Sequence, residues 1–182
     1  MAAATIKAVN VTLRDTDSTV LESGSAGGKL RVWMDTIATT TVNTDDVGDA
    51  WMMAEVPSNA KIVSIKFYND DLATSGLAAD VGVYNGSTKF TSSTPTTYAA
   101  DAIIDQDAYA SAWTTELLAA NTAGVELAFE ARDITSVNNY VWEDCGLPED
   151  PRMPLRIVAT VTTAATTPLS GDVTVVVLYS VE

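Results

Sequence analysis

Carboxylates are the only plentiful reactive groups in this chain. Asp45, Asp46 and Asp49 form one cluster, Asp70, Asp71 and Asp80 a second, and Glu149 with Asp150 a third. Acid-rich loops bind calcium, and two carboxylates suffice to hydrolyse a glycosidic bond. Spacing specifies neither chemistry here. Asp15 to Ala26 lacks the glycine and the closing glutamate of an EF-hand loop, and no other segment fits better. Solvated turn residues are the reading these clusters support best. There is no histidine, which removes Ser-His-Asp and Cys-His arrangements, the HExxH zinc motif and any imidazole base. Cys145 therefore has no imidazole partner and reads as a small, inert core residue. Gly24 to Lys29 has the look of a phosphate loop, but Ser23 stands where the leading glycine belongs and Leu30 where Ser or Thr belongs. No catalytic, cofactor-binding or metal-binding residue is assigned, and no cofactor is expected.

Aromatic side chains are the remaining candidates, since exposed rings stack on sugars. Trp33 and Trp51 fall on strand faces opposite the expected core side, although packing against a helix or a neighbouring subunit explains them more simply. Trp113 and Trp142 lie in segments with helical spacing and read as core or interface residues.

Composition narrows the partners. The 182 residues carry 24 acidic and 10 basic side chains, a net charge of −14 and a pI near 4.1. Nucleic acid and anionic membranes reward clustered Lys and Arg, so neither is an expected partner. With 47% hydrophobic residues the chain can bury a core within a single domain. Met1 to Ala4 does not open a signal peptide, and Val173 to Tyr179 is too short to span a bilayer. The single cysteine leaves no intrachain disulfide and fits synthesis in a reducing cytosol.

The elements that would position these residues are mostly strands. Residues 1–28 lack a sustained pattern, end in a glycine-rich joint and read as an extended N-terminal arm before a single sandwich domain over 29–182. Leu30, Val32 and Met34 alternate with Arg31, Trp33 and Asp35. Ala50, Met52, Ala54 and Val56 alternate with Trp51, Met53 and Glu55. Val63, Ile65 and Phe67 share one face, and Val81 and Val83 alternate with Asp80 and Gly82 before an Asn85-Gly86 turn of tight-hairpin type. The alanine-rich stretch from Asp101 to Ala120 predicts one or two short helices. A further helix is predicted from Asp133 to Cys145, with Ile134, Val137, Val141 and Cys145 on one face and Gly146 and Pro148 ending it.

Leu155, Ile157, Ala159 and Val161 return to strand spacing. Val173 to Val181 is apolar on both faces, as in a central strand or one covered by another subunit. The class is mainly β, a jelly-roll-like β-sandwich with short helical insertions.

Two sets of segments carry a family resemblance. Ala54 to Ile65, then Asn69-Asp70-Asp71 and Asp80-Val81-Gly82-Val83-Tyr84, form the first. Tyr140 to Leu147, Asp150-Pro151, Ile157 to Thr162 and Gly171 to Tyr179 form the second. Together they resemble small virion structural proteins of tailed phages, including head decoration, or cement, proteins, over roughly Leu30 to Glu182. The resemblance rests on strands and turns rather than reactive groups. It implies a non-enzymatic protein on the capsid exterior, made in the bacterial host cytoplasm. Its implied partners are the major capsid protein of a tailed phage and further copies of itself, commonly as a trimer. A jelly-roll carbohydrate-binding module, or a head-fibre or tail adhesion module, is the alternative.

Overall fold

A computed structural model describes residues 28–181, apart from 45, 87–89, 92–96 and 99–100. Eight strands of the described residues build two sheets: β1 (Lys29–Thr39), β2 (Ala50–Pro57), β3 (Lys61–Asn69), β4 (Ala78–Asn85), β7 (Ile103–Trp113), β8 (Asn121–Glu126), β9 (Pro154–Thr163) and β10 (Gly171–Val181). The two-residue strands β5 (Phe90–Thr91) and β6 (Thr97–Tyr98) pair with each other in the β4–β7 connection. One sheet runs β1-β10-β3-β8 and the other β2-β9-β4-β7. Neighbours are antiparallel throughout, and β1/β2, β3/β4, β7/β8 and β9/β10 each place consecutive strands in opposite sheets. That order is the jelly roll expected from the sequence.

The core lies between the sheets. Ile65, Phe67, Val173, Val175 and Val177 meet Met53, Val56, Val81, Val83, Ile157 and Val161, all fully or almost fully buried. Phe67 packs on Trp113 with ring centroids 5.0 Å apart and planes tilted by 58°, a favoured geometry for an aromatic pair. β10 is a central strand, flanked by β1 and β3. Its Val173, Val175 and Val177 point inward, while Val176 and Leu178 are half-buried on the outer face.

In β1, β2 and β3 the buried faces differ from those the spacing predicts. In β2 the pairing with β9 slips between Met52 and Ala54, so Trp51 and Met53 face the core before the slip and Ala54 and Val56 after it. A bulge shifts the side-chain phase by one residue. In β3, Leu178 lies opposite Ser64 and Tyr179 opposite Ile62, which leaves Val63 out of the ladder and 48% exposed. In β1 the faces are the reverse of the expected ones. Trp33 and Ile37 pack against the core, and Leu30, Val32 and Met34 face outward.

The predicted helices are largely replaced. Ile103–Trp113 is a strand, and only Thr115–Leu118 turns, as a 3-10 helix. A Cβ on Gly82 would sit 2.1 Å from the Asp105 carbonyl oxygen. The missing side chain lets β7 press directly onto β4, and that pairing outweighs alanine's helical preference, which is worth only tenths of a kcal/mol per residue over most others. The Asp133 to Cys145 helix breaks in two, a 3-10 turn at Ile134–Asn138 and a single α-turn at Val141–Asp144. Asn139 and Tyr140 between them are extended, so the Val141 N–H donates to the Ala60 carbonyl at 2.9 Å. Ile134 is consequently 79% exposed. The Asn85-Gly86 pair does not make a tight hairpin, because β4 rejoins its partner only where Asp101 N–H donates to the Asn85 carbonyl. Residues 1–27, which hold all of the expected arm but Gly28, Asp15 to Ala26 and most of the phosphate-loop look-alike, lie outside the described residues; Lys29 of the look-alike opens β1.

Candidate functional site

The acidic clusters hold turns. Asp70 Oδ2 accepts from the Asp172 N–H at 2.9 Å, and Asp80 accepts from the Ala112 N–H and from Gln106. Asp150 Oδ1 accepts from Ser58 Oγ at 2.5 Å and from the Arg152 N–H at 2.8 Å. Asp49 Oδ2 accepts from the Asp46 N–H; Asp45 lies outside the described residues. The second cluster is divided, since Asp70 holds β10 of one sheet and Asp80 holds β7 of the other. Among the described residues no group of three or more acidic or cysteine side chains is placed to hold a metal ion.

Among the described residues, one buried ion pair has no signal in the spacing of the sequence. Arg132 and Asp144 form an ion pair at 3.0 Å with side chains only 3% and 1% exposed. Arg132 also donates to the carbonyls of Ile62 and Ser136, and Tyr109 Oη donates to Asp144. Burial pushes the Asp144 carboxyl up to about 6 against the pull of Arg132, and drives Tyr109 well above its ordinary range. Every donor here is directed at the fold itself. The cluster fastens residues 131–147 onto β3 and borders an acid-rich surface cleft of about 400 Å³.

Cys145 is half-buried rather than fully buried, and its Sγ donates to the Val141 carbonyl at 3.1 Å. Burial raises its thiol well above the usual range, the opposite of what a nucleophile needs. Trp51 is 3% exposed, within the core rather than on an open face. Trp33 is partly buried against the core, and its indole N–H has no acceptor among the described residues. Trp113 is buried as expected, though on a strand, and Trp142 packs partly buried against the core.

What remains is a surface. Leu30, Val32 and Met34 on β1 are 63%, 52% and 68% exposed. In register beside them on β10 lie Ser180, Leu178 and Val176, two of them apolar and half-exposed. Val63, expelled by its bulge, lies on the adjoining strand. The outward face of this sheet thus carries an apolar strip that starts at β1, an edge strand among the described residues, and continues onto β10. The sequence signal for it was present in the double-sided apolarity of β10, but the phase of β1 was not legible.

No family model matches the chain, and no curated protein matches it. Two solved structures are similar. The capsid of Ralstonia phage GP4 contains a chain of 16% identity and TM-score 0.57, with 91% of this chain and 92% of that one covered. The cyanophage Pam1 capsid asymmetric unit contains one of 17% identity and TM-score 0.50, with 90% and 93% covered. Both likenesses are of fold. Such a fold is a frame for many functions, so the role must be argued from the surface.

Proposed function

We propose that the chain is a non-enzymatic structural protein of a tailed-phage virion, a decoration or cement protein that binds across neighbouring capsid subunits on the outside of the head. The observation that carries this is the pairing of a complete jelly roll, similar over nine-tenths of its length to chains in two phage capsid structures, with an apolar strip on one outer sheet face. The charge of −14 suits an outer surface better than one facing packaged DNA. The glycan-binding alternative loses support because Trp51 is in the core and Trp33 is packed against it. On this reading the arm before Leu30 adds contacts to a neighbouring subunit, since an extended chain reaches about 3.3 Å per residue.

Cryo-electron microscopy of virions from the phage that encodes the chain tests the proposal. The expected result is a repeated density on the outer shell into which the two-sheet body fits. Absence of the chain from purified virions, shown by mass spectrometry, overturns the assignment. Adding back a chain without residues 1–28 to undecorated shells should lower occupancy while the body still folds; unchanged occupancy removes the arm from the proposal.

A further inference from the structure

We propose that β1 is a self-complementary edge through which two copies of this chain pair, antiparallel and about a two-fold axis near Trp33, into one continuous sheet. The inference rests on β1 alone and is independent of the virion assignment.

All eleven residues of β1 pair with β10 without a register shift. Among the described residues, no strand pairs with its other side. An edge of that length presents a row of backbone donors and acceptors, a template for another strand; the Thr36 N–H is held by Asp35 Oδ1 at 2.8 Å, which leaves Oδ2 of that carboxylate for a cation. It contains no proline and no bulge, two of the devices that ordinarily blunt such edges. Its outward face, Leu30, Val32 and Met34, carries no charge and is open to solvent.

The charges of β1 select the occupant. Lys29 and Arg31 precede Trp33 and Asp35 follows it, all three exposed and without an ion-pair partner among the described residues. A two-fold axis normal to the sheet keeps side-chain faces matched, so each residue meets one of the same face in the second copy. Centred on Trp33, the pairing sets Arg31 opposite Asp35 of the second copy, twice by symmetry, and Val32 opposite Met34. Shifting the axis to Val32 sets Lys29 opposite Asp35 and Leu30 opposite Met34. Opposite charges and apolar pairs across strands each add stability, whereas a parallel alignment in register would stack like charge on like. Inward-pointing charges oppose indiscriminate pairing; in this order they reject most partners and admit an antiparallel copy. A chain of net charge −14 repels its own kind elsewhere, and β1 is a local exception with two cations to one anion.

Sedimentation equilibrium of the full chain at micromolar concentration provides the test. The expected mass is that of a dimer or another even-numbered assembly. Asp35→Arg replaces two attractive contacts with two repulsive ones and should weaken the association at least about tenfold. The double variant Arg31→Asp/Asp35→Arg restores opposite charges across the axis and should recover most of that loss. Unchanged melting of the dilute single variant would confirm that the fold is intact, because Asp35 is exposed. A monomeric or trimeric full chain, an Asp35→Arg variant that associates normally, or a double variant that fails to recover each overturns the proposal. Association that appears only after removal of residues 1–27 also overturns it, and assigns the edge to the arm.

Discussion

The β1-β10-β3-β8 sheet has two borders, and they are treated in opposite ways. On the far side of β3, β8 is short and pairs only with Lys66 to Asn69. The rest of β3 is sealed by other means. The Ile65 N–H donates to Glu126 Oε1, Leu127 N–H donates to the Ile65 carbonyl, Arg132 to Ile62 and Val141 N–H to Ala60. Gly124, with φ of +78°, lies against the Tyr68 ring, and the β3–β8 register shifts between Phe67 and Asn69. At the β1 border there is a long, regular strand with apolar side chains outside and no cover among the described residues. One border buys its closure with a buried ion pair and side-chain caps. The difference teaches that the open border is not a generic failure to finish a sheet: the same sheet is finished elsewhere by irregular backbone and well-placed charge.

Breaking the sealed border should have the largest effect. Arg132→Met leaves the Asp144 carboxylate buried without its cation, and should cost about 3–5 kcal/mol in urea unfolding at pH 7.5. The pH dependence has a definite sign. The folded state raises Asp144 above its ordinary range, to about 6, so its contribution is fullest when protonated and is lost as pH rises through that value. Without Arg132 the carboxyl is raised further. The variant should therefore recover part of its deficit at pH 5, and an equal deficit at both pH values would show that the ion pair is not what seals this border.

Glu126→Ala tests the cap one step out. The carboxylate accepts from Ser64, Ile65 and Ala128. Its removal should cost about 1–2 kcal/mol and speed hydrogen exchange at the Ile65 amide in particular. Uniform protection would argue that the strand is held without the cap.

Cys145 reports on the same border without weakening it. Native labelling by a maleimide at pH 7 should be at least about tenfold slower than in the unfolded chain, because burial disfavours the thiolate. Equal rates would mean that residues 141–147 open freely.

The smallest effect belongs to the open border. Val32→Thr changes a side chain that is half in water, so dilute monomer stability should shift by no more than about 0.5 kcal/mol. A loss near that of the Arg132 variant would show that Val32 is covered within one copy, and would erase the contrast between the two borders.

Much of the sandwich was legible because alternation is a direct consequence of strand geometry. Leu155, Ile157, Ala159 and Val161 are buried as their spacing says, and so are Val173, Val175 and Val177. Alternation fails at Met53 and Val63, where a bulge changes the phase without any residue that announces it. It fails in β1 because both faces are apolar: Trp33 and Ile37 compete with Leu30, Val32 and Met34 for the core, and the larger indole is the one packed there. The Arg132–Asp144 pair escaped notice since its members lie twelve positions apart in a segment that reads as loop and helix.

From the order of its residues alone, this chain determines a mainly β body, a central strand apolar on both sides, and acidic loops whose spacing fits no catalytic or cation-binding pattern. These follow from short-range rules, in which side-chain period and hydrogen-bonding capacity belong to the residue and its near neighbours. Tertiary structure alone decides that residues 103–113 form a strand rather than a helix, that Arg132 is buried, and that β1 shows Leu30, Val32 and Met34 to the outside. Each depends on what a distant segment leaves available: the missing side chain of Gly82, the unpaired carbonyl of Ile62, and the space between the sheets that Trp33 shares. Local preferences amount to tenths of a kcal/mol per residue, and long-range pairing and burial exceed them wherever the two disagree.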